Sequence, residues 1–193
     1  MRLVTIQDKP AYDELCVTGV LRCKPELANW LSEKSFRRSY DWLVEQMKKR
    51  VGKPPQGVFY PIWAWYLLDG KPAKADLRRT EIVDCSGENY ALTVELPETQ
   101  VLLSDEENWH YVLNDWYFSG ARNESDYDKA NAWFDALPQN EKRKAKLKSW
   151  EKIFNITPLE NGWHRNGYFV QATFWELRIE QVVDTRWFVG KPK

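Results

Sequence analysis

The first residues of the chain alternate between apolar and polar positions and predict an opening β-strand. Residues 3–7 have the two-residue period and the β-branched content that are typical of strands. Asp8 then precedes Lys9 and Pro10, an order that favours a helix N-cap followed by proline in the first turn. We expect this helix to cover residues 10–17 and to end near Gly19, because glycine is favoured just past a helix C-terminus.

Four later segments have helical patterns. Residues 35–51 have apolar positions at helical spacing and three basic residues in the last turn, where they suit the helix dipole. The sequence SDEE at 104–107 predicts a capping box with Ser104 as N-cap, opening a helix that buries Trp109. A helix from about Ser125 is expected to bury Trp133, and another over 140–154 to bury Trp150 beneath a basic outer face.

The remaining patterned segments are predicted strands, and they define the fold class. They cover residues 58–66, 81–83, 90–96, 101–103, 168–179 and 182–189, with 81–83 and 90–96 forming a hairpin-like pair. Strands followed by helices and then by strands favour an α+β fold with a mixed or mostly antiparallel sheet and several helices. No internal repeat or linker divides the chain, so residues 1–193 are predicted to form a single domain.

Composition indicates a core that is rich in aromatic residues and a chain without a net electrostatic field. The 193 residues include 11 tryptophans, and each buried aromatic ring removes roughly 150–250 Å² from water. The 28 basic and 28 acidic residues cancel, which disfavours binding driven by net charge to nucleic acid or membranes. The sequence KRKAKLK at 142–148 is nevertheless a local basic strip.

The cysteines and the apolar segments predict a cytoplasmic protein without a membrane span. Cys16, Cys23 and Cys85 are odd in number and lack C-x-x-C spacing, as expected of reduced thiols. No segment has the roughly 18–20 consecutive apolar residues that a membrane span needs, and residues 1–8 lack a signal-peptide apolar region.

Sequence signatures of common catalytic and metal sites are absent. The chain has no phosphate-binding glycine loop, no G-x-S-x-G, no H-E-x-x-H and no paired cysteine ligands, so no metal site is expected. Both histidines follow a tryptophan. His110 on its predicted helix favours a core or capping role, and His164 in a glycine-bounded turn favours a surface role.

The predicted strand 168–179 contains the residues of greatest chemical interest. Alternation places Glu176 on one largely apolar face and Gln171 on the other. A carboxylate in such surroundings needs a partner, and two alternatives remain open: a structural pair with Arg178, or a ligand.

Two further blocks are candidates for ligand binding. Trp63 and Trp65 lie on the same face of the predicted strand 58–66, where they either form core or flank a planar group such as a nucleobase or nicotinamide. Arg78 and Arg79 lie at a loop end, where they either bind phosphate through their guanidinium groups or form a solvated turn.

Five blocks together resemble a bacterial domain family of unknown function. They are TIQ at 5–7, YPIWAWY at 60–66, VLLSDEENWHYVLN at 101–114, SWEKIF at 149–154 and VQATFWEL at 170–177, and they extend over nearly the whole chain. The resemblance implies bacterial origin and a single domain.

The chain also resembles the ADP-ribosyltransferase superfamily, in which an early polar residue, a middle-strand aromatic and a late-strand glutamate form the site. Here Gln7, Tyr60 or Trp63, and Glu176 occupy those places. The resemblance implies that Gln7 and Glu176 are catalytic and that NAD is the substrate. The aromatic residue would stack on nicotinamide, and Glu176 would stabilise an oxocarbenium-like transition state during transfer to a protein or nucleic acid. Phe174 departs from the pattern, since a second Glu or Gln usually stands there.

The nucleotide site predicted from these blocks comprises, besides Gln7 and Glu176, the residues Tyr60, Trp63, Trp65, Arg78 and Gln171. Two functions of other classes compete with the transferase. One is a non-enzymatic module whose tryptophan-lined cleft binds a nucleotide, single-stranded nucleic acid or a peptide. The other is an interaction protein that uses the exposed helix at 140–148. The oligomeric state is left open.

Overall fold

The chain folds around one antiparallel sheet. A computed structural model describes residues 1–28, 34–159 and 165–191. Nine strands occur in it: β1 (Arg2–Asp8), β2 (Val20–Arg22), β3 (Ile62–Leu68), β4 (Lys71–Pro72), β5 (Glu88–Glu95), β6 (Leu102–Asp105), β7 (Val170–Phe174), β8 (Glu176–Arg178) and β9 (Val182–Val189). Seven form a sheet of order β6-β7-β3-β1-β5-β9 with β4 on β3, and β2 pairs separately with β8. All of these described pairs are antiparallel, so the predicted α+β class is confirmed.

Six α-helices accompany the sheet: α1 (Lys9–Thr18), α2 (Lys34–Arg50), α3 (Thr80–Val83), α4 (Glu106–Leu113), α5 (Glu124–Ala136) and α6 (Gln139–Trp150). The predicted ends of α1 are confirmed. The Asp8 side chain accepts a hydrogen bond from Ala11 N, and Gly19 has φ +76° and donates its N–H to the Leu15 carbonyl. A left-handed residue at this position is one that glycine adopts without strain.

Consecutive residues of β1 point to opposite faces of the sheet and join different cores. Leu3 packs with Leu15 of α1 on one face, together with Leu21 of β2 and Leu177 of β8. Val4 belongs to a cluster on the other face with Ile82 of α3. A third cluster contains apolar side chains of α2, α4, α6 and the 3-10 turn Glu151–Phe154 with Trp63, namely Leu43, Met47, Trp109, Val112, Trp150 and Ile153 among others.

The prediction of one continuous strand over 168–179 is wrong. The chain bends at Trp175, so β7 stays in the main sheet while β8 leaves it to pair with β2. Trp175 is buried at the bend, and its Nε1 donates to the Gly52 carbonyl at 2.9 Å. Glu176 therefore does not continue the β7 face.

The predicted hairpin between 81–83 and 90–96 is also wrong. Residues 80–83 form the short helix α3, and β5 pairs instead with β1 and β9. Strand β3 begins only at Ile62, after Pro61, which removes the proline from the ladder.

Two details of the predicted helices differ in the structure. Asp105, rather than Ser104, caps α4, because its side chain accepts from Asn108 N. Trp133 is not buried by α5: its side chain is 54% exposed. Trp109 and Trp150 are buried as predicted.

Candidate functional site

Pairing between β3 and β7 places three of the predicted site residues on one face of the sheet. Trp65 is the register partner of Gln171, and Trp63 is the partner of Thr173. Because side chains alternate along a strand, Trp63, Trp65 and Gln171 all project from the same face. The prediction that the two tryptophans share a strand face is confirmed.

These three side chains line a cavity of about 230 Å³, which we call the β3–β7 cavity. The α3 region closes it, and Trp65 Nε1 donates to the Glu81 carbonyl there at 3.1 Å. Trp63 Nε1 and Gln171 Oε1 are buried and have no hydrogen-bond partner within the described part of the chain. A buried donor and a buried acceptor are thus both unsatisfied at the lining of one cavity, where each costs about 1–3 kcal/mol.

A larger opening of about 420 Å³ adjoins this cavity, since Ile6 and Trp63 line both. We call it the β1–β2 cleft, and Gln7 and Arg22 lie on its wall. Gln7 Nε2 donates to Thr5 Oγ1 at 2.6 Å, and Thr5 Oγ1 donates to the Trp63 carbonyl at 2.7 Å. This chain of hydrogen bonds fixes Gln7 relative to β3.

The charges in the β1–β2 cleft balance. Its lining includes two cations, Arg22 and Lys24, and two carboxylates, Asp8 and Glu14. Lys24 forms an ion pair with Glu14 across the wall. The cleft therefore has no excess charge of either sign to attract an ion.

Glu176 is held by two arginines. Its Oε2 accepts from Arg22 at 2.9 Å and its Oε1 accepts from Arg178 at 2.6 Å, with the Glu176 side chain only 13% exposed. The structural pair with Arg178 that the sequence left open is thus present. Through Arg22, Glu176 reaches the wall of the cleft that contains Gln7, but both carboxylate oxygens are engaged.

Besides Glu176, two of the predicted site residues line neither cavity. Tyr60 donates from its hydroxyl to Asp41 at 2.7 Å, and burial together with this hydrogen bond raises the pKa of Tyr60 to about 12. The Arg78 guanidinium donates to both carboxylate oxygens of Asp76, at 2.8 and 2.7 Å. This pairing holds the pKa of Asp76 well below its usual range. Neighbouring Arg79 is paired with Asp69 and Glu81.

The tryptophan rings also form part of the core. Trp63 packs edge-on against Tyr40 at 6.0 Å and tilted against Trp109 at 5.3 Å between ring centroids. The core interpretation of Trp63 is therefore confirmed, and ligand binding stays a prediction for a residue that also lines the two cavities.

His110 lines neither of these cavities. His110 lies on the exposed side of α4 with Nε2 3.2 Å from Glu106 Oε1, a surface contact one helical turn apart. His164 lies outside the described residues. Among the residues that the structure describes, no group of three or more His, Cys, Asp or Glu is placed to hold a metal ion.

Two important residues were not predicted from the sequence. Arg22 joins the cleft to Glu176, although 154 positions separate the two residues and no local pattern links them. Asp105 is fully buried, and burial raises its pKa to about 6 despite hydrogen bonds from Gly167 N and Asn108 N that favour the charged form. Asp105 lies in the predicted capping block SDEE, but Ser104 is an equally good N-cap residue, so the sequence alone does not select Asp105.

Comparison with known proteins identifies a family but no activity. A family model described as "Domain of unknown function (DUF3841)" matches residues 2–183. No curated protein and no solved structure matches the chain, so the ADP-ribosyltransferase resemblance gains no support from either comparison. Across the described ranges, no helix is both long and apolar enough to cross a membrane.

Proposed function

The chain belongs to the family described as Domain of unknown function (DUF3841), and we propose that it is a binding module that holds a nucleotide through its base. The base occupies the β3–β7 cavity, and the sugar lies toward the β1–β2 cleft. A single observation carries this proposal: Trp63 and Gln171 both line one cavity, and their Nε1 and Oε1 atoms are buried without a partner among the described residues.

The unsatisfied pair indicates the chemistry of the ligand. A flat heterocycle that carries both a hydrogen-bond acceptor and a donor satisfies Trp63 and Gln171 together. The indole rings of Trp63 and Trp65 supply the apolar aromatic surface against which such a ring packs. Nucleobases and nicotinamide have this combination of a planar ring with polar edge groups.

The balanced charge of the β1–β2 cleft supports recognition of the base rather than of phosphate. Arg22 and Lys24 already have carboxylate partners, so a phosphate would have to compete with Glu176 and Glu14. We therefore expect a nucleoside and its monophosphate to bind with similar affinity, within about threefold.

Titration of the wild-type protein with nucleosides and nucleotides tests the proposal, with intrinsic tryptophan fluorescence or calorimetry as the readout. Trp63→Phe and Gln171→Leu each remove one hydrogen bond to the ligand and are expected to weaken binding about tenfold. Trp187→Phe is the matched control, because its indole donates to Glu88 at 3.3 Å on the edge strand β9. Equal affinities of the control and the two cavity variants would refute the assignment, as would the absence of any ligand in the series.

A second candidate is the NAD-dependent transferase. It is favoured by the position of Gln7 and Trp63 in the same cleft as Arg22, the arginine that holds Glu176. Catalysis would require the Glu176 carboxylate to exchange Arg22 for the substrate, which two ion pairs oppose. Incubation with NAD, with nicotinamide release as the readout, compares the wild type, Glu176→Gln and the control Glu95→Gln, whose carboxylate pairs with Arg2 outside the cleft. Nicotinamide release that is lost only in Glu176→Gln supports the transferase. An absence of nicotinamide release from the wild type contradicts the transferase and favours the binding module.

A further inference from the structure

Helix α6 carries all five basic side chains of the local strip at 142–148 and lies beside a hollow that the nucleotide proposal does not use. Its basic residues are Lys142, Arg143, Lys144, Lys146 and Lys148, and its one acidic residue is Glu141. The hollow, about 730 Å³, lies between α2, α5 and α6 and is lined by Lys142, Arg143, Lys146 and Arg38. We propose that this surface, called the α6 groove below, binds single-stranded nucleic acid.

Exposed aromatic rings accompany these cations. Trp116 lines the α6 groove and is 58% exposed, which is unusual for so large an apolar side chain. Tyr117 stacks on Phe134 of α5 with ring centroids 4.3 Å apart and an interplanar angle of 5°. Tyr117 also lines a second hollow of about 400 Å³, where exposed Trp133 lies with Arg50.

Asp115 marks the place in the groove where a negative charge is already favoured. Its Oδ2 lies 2.7 Å from Lys146 Nζ and 3.1 Å from an Arg38 guanidinium nitrogen. One carboxylate thus sits between two cations that come from α6 and α2. The four cations of the lining exceed its two carboxylates, Asp115 and Asp135, so the groove retains positive charge beyond what these two neutralise.

Single strands fit this combination better than a duplex or an acidic protein does. Cations in a groove hold the phosphates, and exposed rings stack bases, which only an unpaired strand presents. A duplex keeps its bases in the helix stack and offers no partner to Trp116 or Trp133. An acidic protein would use the cations but gain nothing specific from the indole faces.

The proposal is tested by fluorescence anisotropy with a labelled oligothymidylate and the whole chain. The log of the association constant falls with log salt with a slope of about 0.7 per phosphate neutralised on a single strand. When all four groove cations contact phosphate, with Arg38 and Lys146 exchanging Asp115 for it, the slope is about −3, or a loss of about 50-fold between roughly 50 and 200 mM salt.

Charge variants separate the groove from the bulk charge. Lys142→Glu with Arg143→Glu is expected to weaken binding more than tenfold at low salt and to make the salt slope about half as steep. The control, Lys71→Glu with Lys74→Glu, changes the net charge equally but lies outside both hollows. Asp115→Asn frees two cations and is expected to tighten binding several-fold; asparagine tolerates the φ of +58° at that position.

Aromatic variants test the stacking. Trp116→Ala is expected to weaken binding about tenfold, whereas Trp187→Ala, which removes an equally exposed ring on β9, leaves it unchanged. The proposal is overturned by an absence of binding at low salt, by equal effects of the two tryptophan variants, or by polyglutamate displacing the oligonucleotide at equal charge concentration. Trp63→Phe, which disturbs the nucleotide cavity, should leave oligonucleotide binding intact, so the two proposals fail separately.

Discussion

Replacement of Asp105 is expected to destabilise the fold. Asp105 is fully buried at the junction of β6 and α4. Its Oδ1 accepts from Asn108 N at 2.9 Å, and its Oδ2 accepts from Gly167 N at 2.6 Å. One side chain therefore caps α4 and holds the turn that leads into β7 and Gln171.

The magnitude follows from the two hydrogen bonds. Asp105→Ala removes both acceptors and leaves the Gly167 amide buried without a partner, which costs about 1–3 kcal/mol, and it also removes an N-cap worth about 1 kcal/mol. We expect a loss of about 2–4 kcal/mol in the free energy of unfolding. Asp105→Asn keeps the shape and one acceptor, so its loss should be roughly half as large.

The pH dependence of this effect has a definite sign. Burial raises the pKa of Asp105 from its ordinary value of 3.8 to about 6 in the folded state. Between these two values the folded protein binds a proton that the unfolded chain has released, so Asp105 favours folding less as pH rises from about 4 to 6. The difference of about two pKa units corresponds to about 3 kcal/mol across that window.

Urea unfolding followed by circular dichroism, at several pH values between about 4.5 and 7.5, measures both effects. The free energy of Asp105→Asn is subtracted from that of the wild type at each pH, which cancels the other titrating carboxylates. The wild-type advantage should shrink as pH rises to about 6 and then stay constant. An advantage that grows with pH, or an alanine variant that loses less than about 1 kcal/mol, would show that the Asp105 hydrogen bonds are not as described.

Three further predictions concern single positions. Gly167→Ala should destabilise the protein by several kcal/mol in urea unfolding, because its φ is +77° and a backbone carbonyl lies 2.1 Å from the added Cβ. The control Gly87→Ala should cost only about 1 kcal/mol, because its φ is +72° but no atom lies within 4 Å of the added Cβ. Trp63→Phe should lower the free energy of unfolding less than Trp150→Phe does, since only Trp150 Nε1 has a partner to lose, the Trp116 carbonyl at 2.7 Å. Glu176→Gln should lower it by about 1–2 kcal/mol at neutral pH by weakening two ion pairs, and an unchanged urea midpoint would contradict that structural role.

The spacing of apolar residues predicted the elements in which one period, helical or two-residue, continues along the whole element. Helix α2 and strand β5 appear close to their predicted limits. The pattern at 168–179 failed because β7 and β8 both alternate, and nothing in a two-residue period shows that the chain changes sheets at Trp175. The strand prediction for residues 81–83 was wrong because α3 has only four residues, too few for a helical period to appear in the sequence.

The candidate site was predictable in its aromatic part and not in its charged part. Trp63, Trp65 and Gln171 lie on two neighbouring strands whose alternation fixes the face of each side chain. The partner of Glu176 was only half predicted: Arg178 is two residues away, whereas Arg22 comes from β2 and meets it only through the β2–β8 pairing. Contacts of that sequence separation depend on topology, which local patterns do not contain.

The hydrogen-bond partner of each indole nitrogen separates structural tryptophans from candidates for ligand contact. Trp65, Trp150 and Trp175 each donate to a backbone carbonyl from another segment, and each thereby ties two parts of the fold together. Trp63 is different, since its Nε1 is buried and has no hydrogen-bond partner among the residues that the structure describes, a state that costs folding free energy. Trp116 is different in another way, because its ring stays in solvent beside cations instead of entering the core. The first departure favours a small planar ligand in the smaller cavity and the second a polymer along the larger groove, so the two tryptophans are best tested separately, each against Trp187.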